Sequence, residues 1–207
     1  MSDGPGPPGP PPLPPADLST RPLPLHICAA GTVLFRIHRV VHAPVFFGPP
    51  PDASPQGRWD APGGEFRVCY LAEEPHLAFA ESFLRTPGIR ILERVDLAER
   101  SLSSIEVRRD LRLVALHGPG LVRVGGTAAV VSGPYALTRL WSLAIHEHPD
   151  AADGIRYRAR HDDDSFAVAL FDRAADALAA GERKELLARE SLAELAAWLD
   201  RYAVGLL

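Results

Sequence analysis

From Thr32 the chain alternates, with Val33, Phe35 and Ile37 interleaved with Leu34, Arg36 and His38, which predicts a strand. Residues 43–64 are rich in Pro and Gly and predict a loop, within which Gln56-Gly57-Arg58-Trp59-Asp60 places a cation beside an aromatic ring. Residues 66–71 predict a second strand, with Tyr70 near its end. Glu73-Glu74-Pro75 is a helix start, because acids suit the positive helix end and proline is tolerated in the first turn. That helix is expected to run to about Arg85. Leu77, Ala80 and Leu84 form its apolar stripe, and Glu81 stands at the edge of the stripe.

The alternation Ile89, Ile91, Glu93, Val95, Leu97 predicts a strand over residues 88–97, and residues 111–116 and 121–124 predict further short ones. Residues 132–146 predict a second helix. A turn at Asp153-Gly154 precedes a strand at residues 155–157, and the continuous apolar run over residues 166–171 predicts a central buried strand. After Gly181 a final helix is expected, with Leu192, Leu195, Leu199 and Tyr202 on one face. That face needs a cover: the domain itself, a second copy of the chain or a partner protein. Strands that follow one another with few helices between them predict an α+β fold with a mixed or antiparallel sheet and a C-terminal helix.

Composition changes this picture mainly at the start of the chain. Of 21 prolines in 207 residues, ten fall in the first 25. Proline fixes φ and removes a donor, so residues 1–30 are expected as a disordered tail, residues 31–180 as the domain, and residues 181–207 as an amphipathic helix packing on it or on a partner. The start has no cationic, apolar and small-residue order of a targeting peptide, and no apolar run approaches the roughly 18 residues of a membrane span. A cytoplasmic protein without membrane contact is expected. A net charge of -4 supplies no global field for a polyanion, so direct nucleic-acid binding is not expected. Cys28 and Cys69 are unclustered, which fits reduced buried thiols.

Glu81 is the first chemical candidate, because a carboxylate on an apolar helix face needs a partner and such groups concentrate at active sites. An ion pair with an arginine is the plainer account of it. Arg58 offers a planar fork for a phosphate or carboxylate. Arg36 needs an anion if it faces inward. Tyr70 offers a stacking face and a hydroxyl. His146-Glu147-His148 resembles a metal motif but ends a helix, where histidine suits the negative end, and His161-Asp162-Asp163-Asp164 is most simply a polar hairpin loop. No P-loop, nucleophile elbow or zinc-deaminase pattern is present.

The order of these candidates resembles the RES domain. The resemblance rests on Leu34-Phe35-Arg36, the Gly57-Arg58-Trp59 loop, Tyr70, Glu81 within Ala78-Phe79-Ala80-Glu81, and a late block from Asp153 through Arg160 followed by Ala169-Leu170-Phe171. It covers residues 31–173. It implies a fold like that of ADP-ribosyltransferases and an enzyme that consumes NAD, with ADP-ribose passing to water, phosphate or a protein. It also implies the toxin of a two-gene toxin-antitoxin system whose partner carries a helix-turn-helix domain. Arg36 and Arg58 would hold the diphosphate or adjacent ribose, Tyr70 would stack near nicotinamide, and Glu81, helped by Arg58, would be catalytic. Ala159 and Arg160 would border the NAD site, and no metal is implied. A homo-oligomer is a further possible assembly.

One departure stands out. The family serine expected after Tyr157-Arg158 is Ala159 here, and Ser165 lies across the acidic loop. A diverged, catalytically impaired module that binds NAD or a partner is therefore the alternative expectation.

Overall fold

The computed structural model describes residues 12–50 and 53–207. Its centre is an eight-stranded sheet built from β1 (Leu25–Cys28), β2 (Val33–Arg39), β3 (Val68–Ala72), β5 (Arg100–Val107), β6 (Leu111–Leu116), β7 (Gly154–Arg158), β8 (Phe166–Phe171) and β9 (Leu178–Glu185). A small parallel pair joins β4 (Ile91–Leu92) to β10 (Gly205–Leu206). The helices are α1 (Pro75–Phe83), α2 (Arg94–Ala98), α3 (Pro119–Arg123), α4 (Ala128–Ser132), α5 (Tyr135–His146) and α6 (Leu192–Arg201). The strand order is β1-β6-β7-β8-β3-β2-β5-β9, antiparallel except for β6 beside β7. This is the α+β architecture that the strand order of the sequence predicts.

The apolar run of β8 is buried on both faces, as a central strand requires. Ala167, Ala169 and Phe171 join the cluster covered by α1, α5 and α6, whereas Val168 and Leu170 join Leu34, Cys69, Ile105 and Leu113 on the other face. Both cysteines are free and buried. In α1, Leu77, Phe79 and Ala80 are fully buried. Burying a Leu or Phe side chain of this kind contributes about 1.5–3 kcal/mol.

The sheet is not evenly closed. β2 meets β3 at one position, Phe35 opposite Ala72, although β2 pairs along its whole length with β5 and β3 with β8. Continued in register, the ladder would next join Ile37 to Tyr70. That pair is not made, and the sheet opens there.

Several expectations need correction. Residues 1–11 lie outside the described residues, but residues 12–30 are packed rather than disordered, so the domain begins well before Gly31. Leu18 and Leu23 are in the core, β1 is an edge strand on β6, and the Trp141 indole donates to the Pro12 carbonyl at 2.8 Å. His148 Nε2 stands 3.0 Å from the carbonyl of Arg21 and 3.2 Å from that of Leu18, while Asp150 accepts from Leu23 N. Widely spaced leucines between the prolines supply enough apolar surface to hold this strap down.

Residues 181–185 belong to β9, and the last helix starts only at Leu192. Its Leu195 and Trp198 are buried in the domain's own core, Trp198 against Phe79, so the domain covers most of this face and leaves Leu192 exposed. Residues 121–123 are helical, and only Ile91–Leu92 of the expected strand over residues 88–97 is a strand. Among the described residues, no helix is long and apolar enough to cross a membrane.

Candidate functional site

Where β2 parts from β3 the structure holds a cavity of about 620 Å³. Arg36, Arg58, Tyr70, Glu81, Ala159 and Arg160, six residues spread over five segments, all line it.

Arg58 is fixed by its loop. Asp60 accepts from the amides of Gln56 and Gly57 and from the hydroxyl of Tyr70, which in turn accepts from Trp59 N at 2.8 Å. From α5, Thr138 donates to the carbonyl of Arg58, Ser142 to that of Trp59, and Arg139 to that of Gly57. Gly57 is required by this arrangement, because a Cβ there would collide with the Tyr70 hydroxyl and lie 2.6 Å from Asp60 Oδ1. Arg58 is 7% exposed. Its Nη1 donates to Gly133 O at 2.9 Å and its guanidinium carbon lies 4.7 Å from the Tyr135 ring centre. Its Nη2 is buried without a partner among the described residues. A buried, unpaired cationic N–H is costly, and an anion entering the cavity would satisfy it.

Arg36 borders the cavity from β2, held by a bond from Nη1 to Pro44 O at 2.8 Å. Glu81 is half-buried on α1, and its Oε1 accepts from the backbone N of Arg160 at 3.3 Å. Arg85 bonds the Glu81 carbonyl rather than its carboxylate, and no salt bridge reaches Glu81, so the ion-pair account of Glu81 does not hold among the described residues. Tyr70 lines the cavity, and its hydroxyl is consumed by Asp60 and Trp59. Burial, with the Asp60 charge second, pushes that phenol well above its ordinary range.

Ala159 is buried and bonds Ser165 O through its own amide. Ser165 does not reach the cavity, since its hydroxyl lies 3.2 Å from His76 Nε2. The site therefore has no hydroxyl where the family serine is expected. Three residues that sequence reasoning did not select also contribute. Tyr157 is buried against Trp59, and burial followed by the Glu81 charge raises its pKa strongly. Tyr135 supports Arg58. His161 borders the cavity with its pKa lowered by burial, against the opposing pull of Glu81. Tyr157 lay within the late block that carries the family resemblance and His161 within the acidic loop read as a hairpin, whereas Tyr135 carried no sequence signal. His146 and His148 stand away from the cavity, stacked on Phe66 and tied to the N-terminal strap respectively. Among the described residues no cluster of three metal-ligand side chains is present.

The chain matches the RES domain over residues 33–193. It is 35% identical over 80 residues to a protein named probable toxin y4kH from Sinorhizobium fredii (strain NBRC 101917 / NGR234), a stretch that is 38% of this chain and 62% of that protein. The match thus spans less than two thirds of that relative. The fold is similar to a chain of the M. tuberculosis MbcT-MbcA toxin-antitoxin complex, with a TM-score of 0.59 and 16% identity over 86% of this chain and 92% of that one. With the family match extending over most of the sheet and every strand that lines the cavity, the chain belongs to the RES domain family.

Proposed function

We propose that this protein is a cytoplasmic NAD-consuming enzyme that breaks the bond between nicotinamide and ribose, and that it acts as a toxin restrained by an antitoxin carrying a helix-turn-helix domain. The observation that carries this reading is that Arg58, whose buried Nη2 has no partner among the described residues, lines one cavity with Glu81. An anion site beside a carboxylate suits a diphosphate joined to a sugar that becomes cationic as it reacts. A cavity of this volume lies within the range of small-molecule sites.

In this reading Arg58 and Arg36 bind the diphosphate, and Tyr70 and Tyr157 offer aromatic surface to the reacting end. The glycosidic C–N bond breaks with its electron pair going to the pyridinium nitrogen, so nicotinamide leaves neutral. Glu81 stabilises the oxocarbenium-like carbon left behind. Water or phosphate then forms the new C–O bond, and the proton of water passes to solvent. A protein nucleophile in the same place would give ADP-ribosylation.

Mass spectrometry of products formed from NAD, with and without phosphate, tests the reading. Nicotinamide release that disappears in Glu81→Gln supports it, and no release from the folded chain with any acceptor overturns it for this protein. Ala159 favours a second reading, a module that binds NAD without consuming it. Calorimetric NAD binding without turnover, with turnover restored in Ala159→Ser, would select that alternative.

A further inference from the structure

His161 follows β7 and lines the cavity, and the proposed reaction leaves it unused. The backbone N of its neighbour Arg160 donates to Glu81 Oε1 at 3.3 Å, and successive Cα atoms stand about 3.8 Å apart, so the chain sets His161 beside the carboxylate of Glu81. The charges that act on its ring are those of Glu81, Arg160, Arg85 and Arg58, and all four of these residues line the cavity. They reach the ring from α1, from its own loop, from the segment after α1 and from the loop before β3. The ring therefore stands among the walls of the site. Among the described residues no hydrogen bond ties either of its nitrogens.

That freedom separates His161 from its neighbours. The Tyr70 hydroxyl is taken by Asp60 and Trp59, and burial holds the protons on both Tyr70 and Tyr157. Burial also keeps His161 below the ordinary 6.5; Arg160, Arg85 and Arg58 act in the same direction and Glu81 against them. Near neutral pH the ring is uncharged, and one nitrogen presents a lone pair.

Water is the acceptor that needs such a group. A water that bonds to a cationic carbon must lose a proton, whereas a phosphate dianion attacks through an oxygen that has none to lose. We infer that His161 is the general base of the hydrolytic branch, accepting the proton of the water that attacks the anomeric carbon beside Glu81. A lone pair of the water oxygen forms the C–O bond, the electrons of the broken O–H bond stay on that oxygen, and His161 passes the proton on to solvent. This assignment rests on the NAD reading above.

Free ADP-ribose formed from NAD by the full chain, without phosphate, tests it. In His161→Ala this product is expected to fall about 100-fold, the lower end of what a positioned base contributes. Affinity for ADP-ribose, measured by calorimetry, stays unchanged, and imidazole added to the buffer restores hydrolysis by filling the space of the lost ring. Where the wild-type chain also forms the phosphate ester, that product is spared in the variant. From pH 5 to 8 wild-type hydrolysis should fall toward acid with a midpoint below the ordinary histidine value, and the variant should lack this limb. Undiminished hydrolysis in His161→Ala overturns the assignment alone. So does a loss shared equally by ADP-ribose affinity or by the phosphate ester, and so does a wild-type chain that releases nicotinamide without forming free ADP-ribose. A folded wild-type chain that releases no nicotinamide with any acceptor overturns the NAD reading and this assignment with it.

Discussion

The hydroxyl of Tyr202 donates to Oδ2 of Asp162 at 2.8 Å, joining the end of the last helix to the loop that carries Ala159, Arg160 and His161 into the cavity. Arg201 bonds the same oxygen at 2.9 Å, and His76 stands 3.6 Å from it. Tyr202→Phe removes one of these bonds without changing ring packing against Phe79. The expected result is a loss of about 1 kcal/mol in urea unfolding, together with a raised KM for NAD as the loop loosens.

Glu81→Gln keeps the shape of the side chain and removes its charge. Stabilisation of a developing charge by one well-placed group is worth about 100- to 1000-fold in rate. Nicotinamide release should fall by that factor while NAD affinity measured by calorimetry changes little. An equal loss in both quantities would mean that Glu81 binds the ground state rather than the transition state.

Ala159→Ser restores a hydroxyl at a buried position bordering the cavity. A hydrogen bond to a charged group contributes about 1.5–3 kcal/mol, so turnover should rise between about ten- and 150-fold if the bond forms in the transition state. Steady-state nicotinamide release by the two chains, compared side by side, measures this.

Tyr70→Phe separates the ring of Tyr70 from its hydroxyl. Removing the hydroxyl leaves the Trp59 amide without its acceptor, at a cost of about 1–3 kcal/mol in denaturant unfolding. Because the ring remains at the cavity, the KM of the folded variant should stay close to that of the wild type. Gly57→Ala, which drives a methyl group into the same hydroxyl, should instead displace the Arg58 loop and lower both stability and NAD affinity.

His146 stacks on Phe66 at 4.1 Å between ring centres and meets Phe171 edge-on. Burial, followed by the Arg173 charge, pushes its pKa down to about 4 from an ordinary 6.5. Between those values the unfolded chain binds more protons than the folded one, so stability rises with pH through the window and is lost as pH falls. Thermal unfolding from pH 4 to 7 should show this slope. His146→Phe should flatten it in part, since His26, His38, His76, His117 and His161 are shifted in the same direction.

Periodicity located the elements whose burial is one-sided or complete: β2, β3, β6, β8, α1 and α5. It missed β5, where Ser101 and Ser103 are buried among the apolar residues because Arg183 and His38 satisfy their hydroxyls. It misassigned residues 88–97 because Ile91 and Val95, read as an inward row, are more than half exposed. The strap over residues 12–24 was hidden by proline content, which governs backbone conformation but says nothing of where Leu18 and Leu23 can dock. At the site, the arginines, Tyr70 and Glu81 were legible by their order. The partners that orient them, Thr138 and Gly133 for Arg58 and Asp60 for Tyr70, come from packing between distant segments.

The unmade pair between Ile37 and Tyr70 leaves peptide groups of both residues facing the opening where the sheet parts, and both residues line the cavity. A peptide group offers the same donor and acceptor whatever side chain it bears, proline excepted. Along this stretch the site therefore presents hydrogen-bonding capacity that no side-chain substitution short of proline deletes. The side chains around it set charge and shape, while the parted backbone supplies a constant edge on which an occupant can complete the interrupted ladder.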